Sequence, residues 1–579
     1  MRSISFRKLP ARHQLVAVIV AAGLAACGSS SDDGVQQLLP ATGATLASCS
    51  DLAARIAQPN TVFSAITTAA AGTLTVGGVA VPEHCVIDGR MADRVSAVDG
   101  QSYAIGFQIR LPKTWNGRFF YQANGGIDGV IVPASGGSGG GGPLTSGLLQ
   151  GFAVISSDAG HSNAQNPVFG IDPQARLDYG YQAVGKLTPM AKAVIQAAYG
   201  KGPDRSYLVG CSNGGRHALV AAARYADQYD GIVAGAPGFN LPKAAIANIY
   251  GAQRYAEVAS NPADLSTGWT AAERTLVSRA VVARCDALDG ATDGLVQDTT
   301  ACQATFKLEA DVPTCAGARD GTCLTAAQKS AIAAIFAGPK TKSGAPVYAT
   351  FPFDGGHGGA GIPFWEFTAS LVLDSGAVGF IFGSPPVAAA GFNGPAFSLG
   401  ADIDAQVARI NATSGIYTES GMSFMTPPNP SNLSALKARG AKLMVYHGVS
   451  DPIFSVDDTT AWYQSLMAAN GGDASNFARF FRVPSMGHCS GGPAVEQFDM
   501  LTPLVAWVER AQAPDRVIAS ARGAGNAGGV NTELPSGWAA NRTRPLCPFP
   551  TVARDNGTGD LEKSENFNSK GPDPADTKP

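Results

Sequence analysis

Several things are scarce in this chain of 579 residues, and each scarcity narrows what it can be. There is no charge excess, since 42 Lys and Arg against 45 Asp and Glu leave a formal charge of -3, so the chain offers no basic footprint for nucleic acid. Beyond the N-terminal segment no apolar run approaches the roughly 20 residues of a membrane-spanning helix. No internal repeat is apparent. Histidine is sparse as well, seven in all, which shortens any search for a general base. Between Lys342 and Arg409 there is no Lys or Arg at all.

What is present begins with a leader. Arg2, Arg7, Lys8 and Arg12 precede the apolar run LVAVIVAAGLAA, which has the length of a signal-peptide core and ends in Leu24-Ala25-Ala26-Cys27. That ending resembles a bacterial lipobox and implies a signal peptide over 1–26 with a lipid on Cys27; an ordinary cleavage site beside an accidental Cys is the alternative. The expectation is an exported protein: an outer-membrane lipoprotein held only by this anchor, or a periplasmic or secreted body. Export makes disulfides the default fate of the nine other cysteines, and an odd number leaves one over.

The domain plan follows from rhythm. Residues 27–84 read as a linker and a small N-terminal region. Over 85–238 short apolar strands (YAIGFQIRLP, RFFYQANGG, FAVISSD, SYLV) alternate with helical spacing, the pattern of a mostly parallel sheet with helices on both faces. Residues 239–434 break that rhythm with four cysteines and a Gly/Pro/Phe-rich stretch, and read as an inserted lid domain. The sheet pattern resumes over 435–555 with AKLMVYHGVSD, and 556–579 reads as a polar, disordered tail. The run Gly136 to Gly142 reads as a flexible loop.

Gly210-Cys211-Ser212-Asn213-Gly214 fits the G-x-S-x-G nucleophile elbow, preceded by a strand and followed by a helix, and implies an α/β-hydrolase fold. In that fold acid and base follow the serine, which removes His13, His84 and His161. His217 lies about one helical turn past Ser212 and reads as packing. His488, in a late loop before the helix LTPLVAWVER, is the expected base. Asp451, after the apolar run AKLMVYHGVS, is the expected acid that orients it, and the backbone N–H groups of Asn213 and Gly126 are the expected oxyanion donors. Gly125 is placed beside them in the pocket, with Phe454 as a pocket residue near the acid and His447 either a core histidine near the site or part of the pocket wall. Cys211 and Cys489 flank the serine and the histidine, so bringing those two together brings the cysteines together, as a disulfide.

GCSNGGRH, YHGVSDP, MGHCSGGP, FDMLTPLVAWVE and RPLCPFP resemble the tannase and feruloyl esterase family, over about Cys49 to Phe567. The resemblance implies a serine carboxylic ester hydrolase acting on small aromatic esters of feruloyl or galloyl type, with no organic cofactor. It also implies structural Ca²⁺ in the loop CDALDGATDGL, through Asp286, Asp289 and Asp293 with the carbonyls of Ala291 and Leu295; from the residues alone that loop is equally a solvated acidic turn. Cys285–Cys302 would close this loop, Cys315–Cys323 would pin a smaller one, and Cys49–Cys85 would tie the N-terminal region to the core. Cys547 is left over: relatives pair it with a cysteine in an F-x-C context, where this chain has Ser569.

Phe351, Phe353, Phe364, Trp365, Phe367, Phe380 and Phe382 crowd the cation-free stretch and suit an aromatic ring, Trp365 being the leading wall residue. Some family members hold a free substrate carboxylate with a lid Arg, and this chain has no counterpart. Hydrolysis of a terephthalate monoester is the alternative reading, and a non-catalytic lipoprotein binding aromatic solutes a remote one.

Overall fold

The computed structural model describes residues 36–571; the expected signal peptide and Cys27 lie outside the described residues. Nine strands form one sheet: β1 (Thr61–Ala69), β2 (His84–Val95), β3 (Ser102–Pro112), β4 (Arg118–Ala123), β5 (Ala153–Ser157), β6 (Arg205–Cys211), β7 (Gly231–Gly235), β8 (Lys442–Gly448) and β9 (Ala478–Val483), in the order β9-β8-β7-β6-β4-β5-β3-β2-β1. From β9 to β5 every pairing is parallel, and from β5 to β1 every pairing is antiparallel. The architecture is that of an α/β hydrolase.

The central strands are apolar runs because both faces are covered. On β6, Leu208 points into a core shared with helix α1 (Ala183–Tyr199) and helix α2 (Asn213–Arg224), while Tyr207 and Val209 point into a second core. The remaining helices used below are α3 (Leu241–Val258), α4 (Ala271–Cys285), α5 (Ala326–Phe336), α6 (Val456–Ala469) and α7 (Leu501–Arg510). Trp462 and Leu466 of α6 close the first core, and Leu504 and Val508 of α7 close the second. The stretch between β7 and β8 contributes no strand to this sheet and builds one apolar core of its own around α4 and α5, and a second, around α3, that it shares with Tyr103, Phe169, Tyr179 and Phe454.

Three readings are corrected. The N-terminal region is not separate from the sheet: β1 pairs with β2 along its length and forms the sheet edge. The tail is ordered to residue 571, because Phe567 is fully buried beneath the Arg544 guanidinium, and Phe567–Lys570 pairs with Val552–Asp555. Gly136 to Gly142 is packed: the Gly141 N–H donates to Glu496 O at 2.8 Å, and a Cβ there would collide with the Glu496 carboxylate. From Gly139 to Gly142 the absence of side chains is a packing requirement.

Among the described residues four disulfides join Cys49–Cys85, Cys211–Cys489, Cys285–Cys302 and Cys315–Cys323. Cys547 is free and buried, its Sγ 2.8 Å from the Ser569 Oγ, and burial pushes its thiol pKa up to about 11.

Candidate active site

Strand β6 ends at Cys211, and the chain turns so sharply into α2 that Ser212 has φ 67° and ψ -128°. This turn tolerates little bulk. A Cβ on Gly214 would lie 2.3 Å from the Ala123 carbonyl, and one on Gly210 would lie 2.6 Å from Gly214. The strain holds the serine hydroxyl above the sheet at the N-terminal, positive end of α2.

Ser212 Oγ lies 2.7 Å from His488 Nε2, and His488 Nδ1 lies 2.7 Å from Asp451 Oδ2. Asp451 follows β8 and accepts the backbone N–H groups of Ile453 and Phe454 on Oδ1, each at 3.0 Å. Burial alone would raise its carboxyl pKa, but its electrostatic pairing with the His488 imidazole and hydrogen bonds from His447 and His488 hold it well below the usual carboxylate range. It therefore stays ionised, the state that fixes His488 with Nδ1–H toward the acid and a lone pair toward the serine. Cys489, the next residue, is bonded to Cys211, so nucleophile and base are tied covalently through their neighbours.

The rings of Trp365 and Phe454 meet the His488 imidazole edge to face, at 5.0 and 5.3 Å between centroids. Phe364 packs on Trp365 and is 45% exposed, leaving an aromatic surface at the mouth. A Cβ at Gly125 would sit 3.5 Å from that of Ser212, so only hydrogen faces the nucleophile there. Gly126 has φ 66°, and among the described residues neither its N–H nor that of Asn213 donates to a protein acceptor. Several other aromatics of the insertion are core: Phe353 stacks on Phe336, Phe367 packs on Tyr255, and Phe380 packs on Phe392.

Of the two places open to His447, core or pocket wall, it takes the core, which corrects its placement in the pocket. It is fully buried, with Nδ1 3.0 Å from Thr459 Oγ1 and Nε2 2.9 Å from Phe454 O and 3.3 Å from Asp451 Oδ2. It supports the acid from behind and forms no wall of the pocket. The sequence reading also missed the buried polar ring of Asp128, Asn213, Arg216 and His217 beneath the elbow. Its available signal was the i, i+4 spacing of Asn213 and His217 on one helix face.

Asp286, Asp289 and Asp293 share one loop that is mostly buried. Asp286 accepts the N–H groups of Asp293, Gly294 and Leu295, and Asp289 accepts those of Ala291 and Gln297. Asp293 is ion-paired to Arg544, with Arg542 4.0 Å away. Burial, with the charges of Asp293 and Asp286, pushes the Asp289 pKa up to about 7 despite those N–H bonds. Among the described residues no three His, Cys, Asp or Glu side chains converge to hold a metal ion, because the carboxylates face backbone N–H groups and an arginine. The donor types and the crowding of negative charge nevertheless suit a hard cation.

Residues 89–570 match the family model described as tannase and feruloyl esterase. The chain is 39% identical over 534 residues to the mono(2-hydroxyethyl) terephthalate hydrolase of Piscinibacter sakaiensis, covering 86% of each protein. It is 30% identical to an uncharacterized esterase of Xanthomonas campestris pv. campestris, covering 91% of this chain and 92% of that one. Its fold matches the crystal structure of feruloyl esterase B from Aspergillus oryzae with a TM-score of 0.70 at 22% identity, over 90% of this chain and 99% of that one.

Proposed function

Because the chain belongs to the tannase and feruloyl esterase family and is a carboxylic ester hydrolase, we propose that it cleaves esters of aromatic acids through an acyl-enzyme on Ser212. The observation that carries this reading is the hydrogen-bonded chain from Ser212 through His488 to Asp451, with both links at 2.7 Å. Ser212 Oγ attacks the ester carbonyl as its proton passes to His488 Nε2, and ionised Asp451 stabilises the imidazolium. The Gly126 and Asn213 N–H groups receive the oxyanion. Collapse expels the alcohol, which takes its proton from His488, and water activated by the same imidazole releases the acid.

Trp365, Phe454 and the open face at Gly125 support an aromatic acyl group, which gains affinity by stacking and desolvation. The absence of Lys and Arg between Lys342 and Arg409 supports an acid half without a second carboxylate, of feruloyl or galloyl type. Terephthalate monoesters are the second reading, favoured by the 39% identity to a hydrolase of that name. Comparing kcat/KM on methyl ferulate, methyl gallate and mono(2-hydroxyethyl) terephthalate separates the two, and a Ser212→Ala variant that kept wild-type rates would remove both.

Two structural roles belong to the same reading. Asp286, Asp289 and Asp293, with the carbonyls of Ala291 and Leu295, would hold structural Ca²⁺ away from the reaction, with Asp293 leaving its pairing to Arg544. Millimolar Ca²⁺ should raise the Tm of chelator-treated protein, and Asp289→Asn should abolish the rise; an unchanged Tm in the wild type rejects the site. The disulfides fit an exported protein, and among the described residues no helix is long and apolar enough to cross a membrane. A lipid on Cys27 would supply the anchor, which labelling with radioactive palmitate tests against Cys27→Ala.

A further inference from the structure

Beneath the elbow lies a closed ring of four side chains. Asp128 Oδ2 accepts Asn213 Nδ2–H at 2.8 Å and His217 Nε2–H at 3.0 Å. The Arg216 Nη2 donates to His217 Nδ1 at 3.1 Å, and the Arg216 Nε returns to Asn213 Oδ1 at 2.6 Å. Each side chain is at most 4% exposed, so each of these donors and acceptors would be costly to leave unpaired. Burial pushes the Asp128 carboxyl well above its usual pKa, and the Arg216 charge pulls it only partly back; among the described residues the fully buried guanidinium has no carboxylate in direct contact.

The ring joins two segments that nothing covalent links locally. Asp128 stands two residues after Gly126 in a left-handed conformation, φ 53°, pinned by Asn166 Nδ2 on its carbonyl at 3.0 Å. Asn213, Arg216 and His217 occupy the first turns of α2. The Arg216 Nη1 and Nη2 also reach Gly180 O and Tyr179 O, at 2.7 and 3.1 Å, which anchors the ring to the body. The backbone N–H groups of Gly126 and Asn213 belong to these two segments, one to each. Strand pairing sets the segments side by side up to Ala123 and Gly210, and beyond it the side chains of the ring are what join them, Asp128 being the one member on the loop.

We propose that Asp128, through its paired bonds to Asn213 and His217, is the positioning residue of the oxyanion hole. It acts on the transition state while touching neither substrate nor the reacting atoms. This inference rests on the esterase reading above. An oxyanion donor is worth about 10² to 10³ in kcat and little in ground-state binding, so a displaced hole lowers kcat and leaves KM in place. A ring that merely held helix to loop would show itself in Tm alone.

The test is steady-state kinetics on methyl ferulate with Asp128→Ala and Asp128→Asn, alongside the affinity for an aryl boronic acid, whose tetrahedral adduct with the serine mimics the intermediate. Asp128→Ala is expected to lower kcat about 100-fold with KM within about 2-fold, and to weaken the boronic acid in parallel. Asp128→Asn, which keeps an acceptor for both donors, is expected to recover most of the loss. An Asp128→Ala enzyme within 3-fold of wild-type kcat, or one whose loss lies in KM, overturns the proposal. Should Asp128→Ala fail to fold, His217→Ala carries the same readout, with a smaller fall in kcat at constant KM expected and an unchanged kcat overturning it. The esterase reading fails separately, if wild-type hydrolysis survives Ser212→Ala.

Discussion

At the residue scale the account turns on charge states that the fold imposes. Asp451 is held ionised by His488 and His447, so Asp451→Asn would leave the shape intact and reverse the preferred tautomer of His488. The expected result is a fall in kcat of about 10³ to 10⁴ with little change in KM, measured on any ester the wild type turns over. The reacting residues could be read from the chain because each sits in a fixed local context: Ser212 at a strand-to-helix turn, Asp451 at a strand end, His488 in a late loop. Asp128 could not, since its role depends on a bond to α2 across 85 positions of sequence. The choice between core and pocket wall for His447 was open for a related reason: strand alternation puts it beside the acid, but its full burial comes from α6, whose Thr459 takes one ring nitrogen.

At the scale of elements, two cross-links can be tested. The Cys211–Cys489 bond ties the end of β6 to the loop carrying His488, 278 positions away. Replacing both cysteines with serine should lower stability by about 2–5 kcal/mol and reduce kcat, read by denaturant titration and kinetics on one preparation. In the C-terminal hairpin, Ser569 already stands 2.8 Å from Cys547. Ser569→Cys should therefore oxidise to a fifth disulfide, visible as a loss of 2 Da and a raised Tm. Strand and helix positions near the site were legible from apolar runs and elbow chemistry. The tail was not, because a single buried ring, Phe567 under Arg544, orders a segment whose composition is polar. The glycine run failed likewise: composition suggested flexibility, whereas Gly136, Gly139, Gly140, Gly141 and Gly142 each mark a close approach.

At the scale of the whole molecule, buried carboxyls shape the response to pH. The pKa of Asp374 is pushed up to about 8, and those of Asp158 and Glu366 to about 7, in each case mainly by burial. Their folded values exceed their unfolded ones, so the folded state binds more protons and loses stability as pH rises toward 8. His161 and His357, lowered to about 4 mainly by burial, act oppositely, adding stability as pH rises from about 4 to 6.5. Above about pH 6.5 only the carboxyls still titrate, so Tm should fall between about pH 6.5 and 8, with Asp374→Asn flattening the fall; a Tm that climbs steadily over that range would contradict this. The central claim concerns the intact, oxidised protein, in which Ser212 is the one nucleophile and Cys211 is bonded beside it. Its most direct test is reaction with an aryl phosphonofluoridate, followed by intact-mass measurement and peptide mapping. One adduct per chain is expected, on Ser212, with activity lost in step and no adduct on Ser212→Ala. An adduct on Cys211, or complete inactivation with Ser212 unmodified, would contradict it.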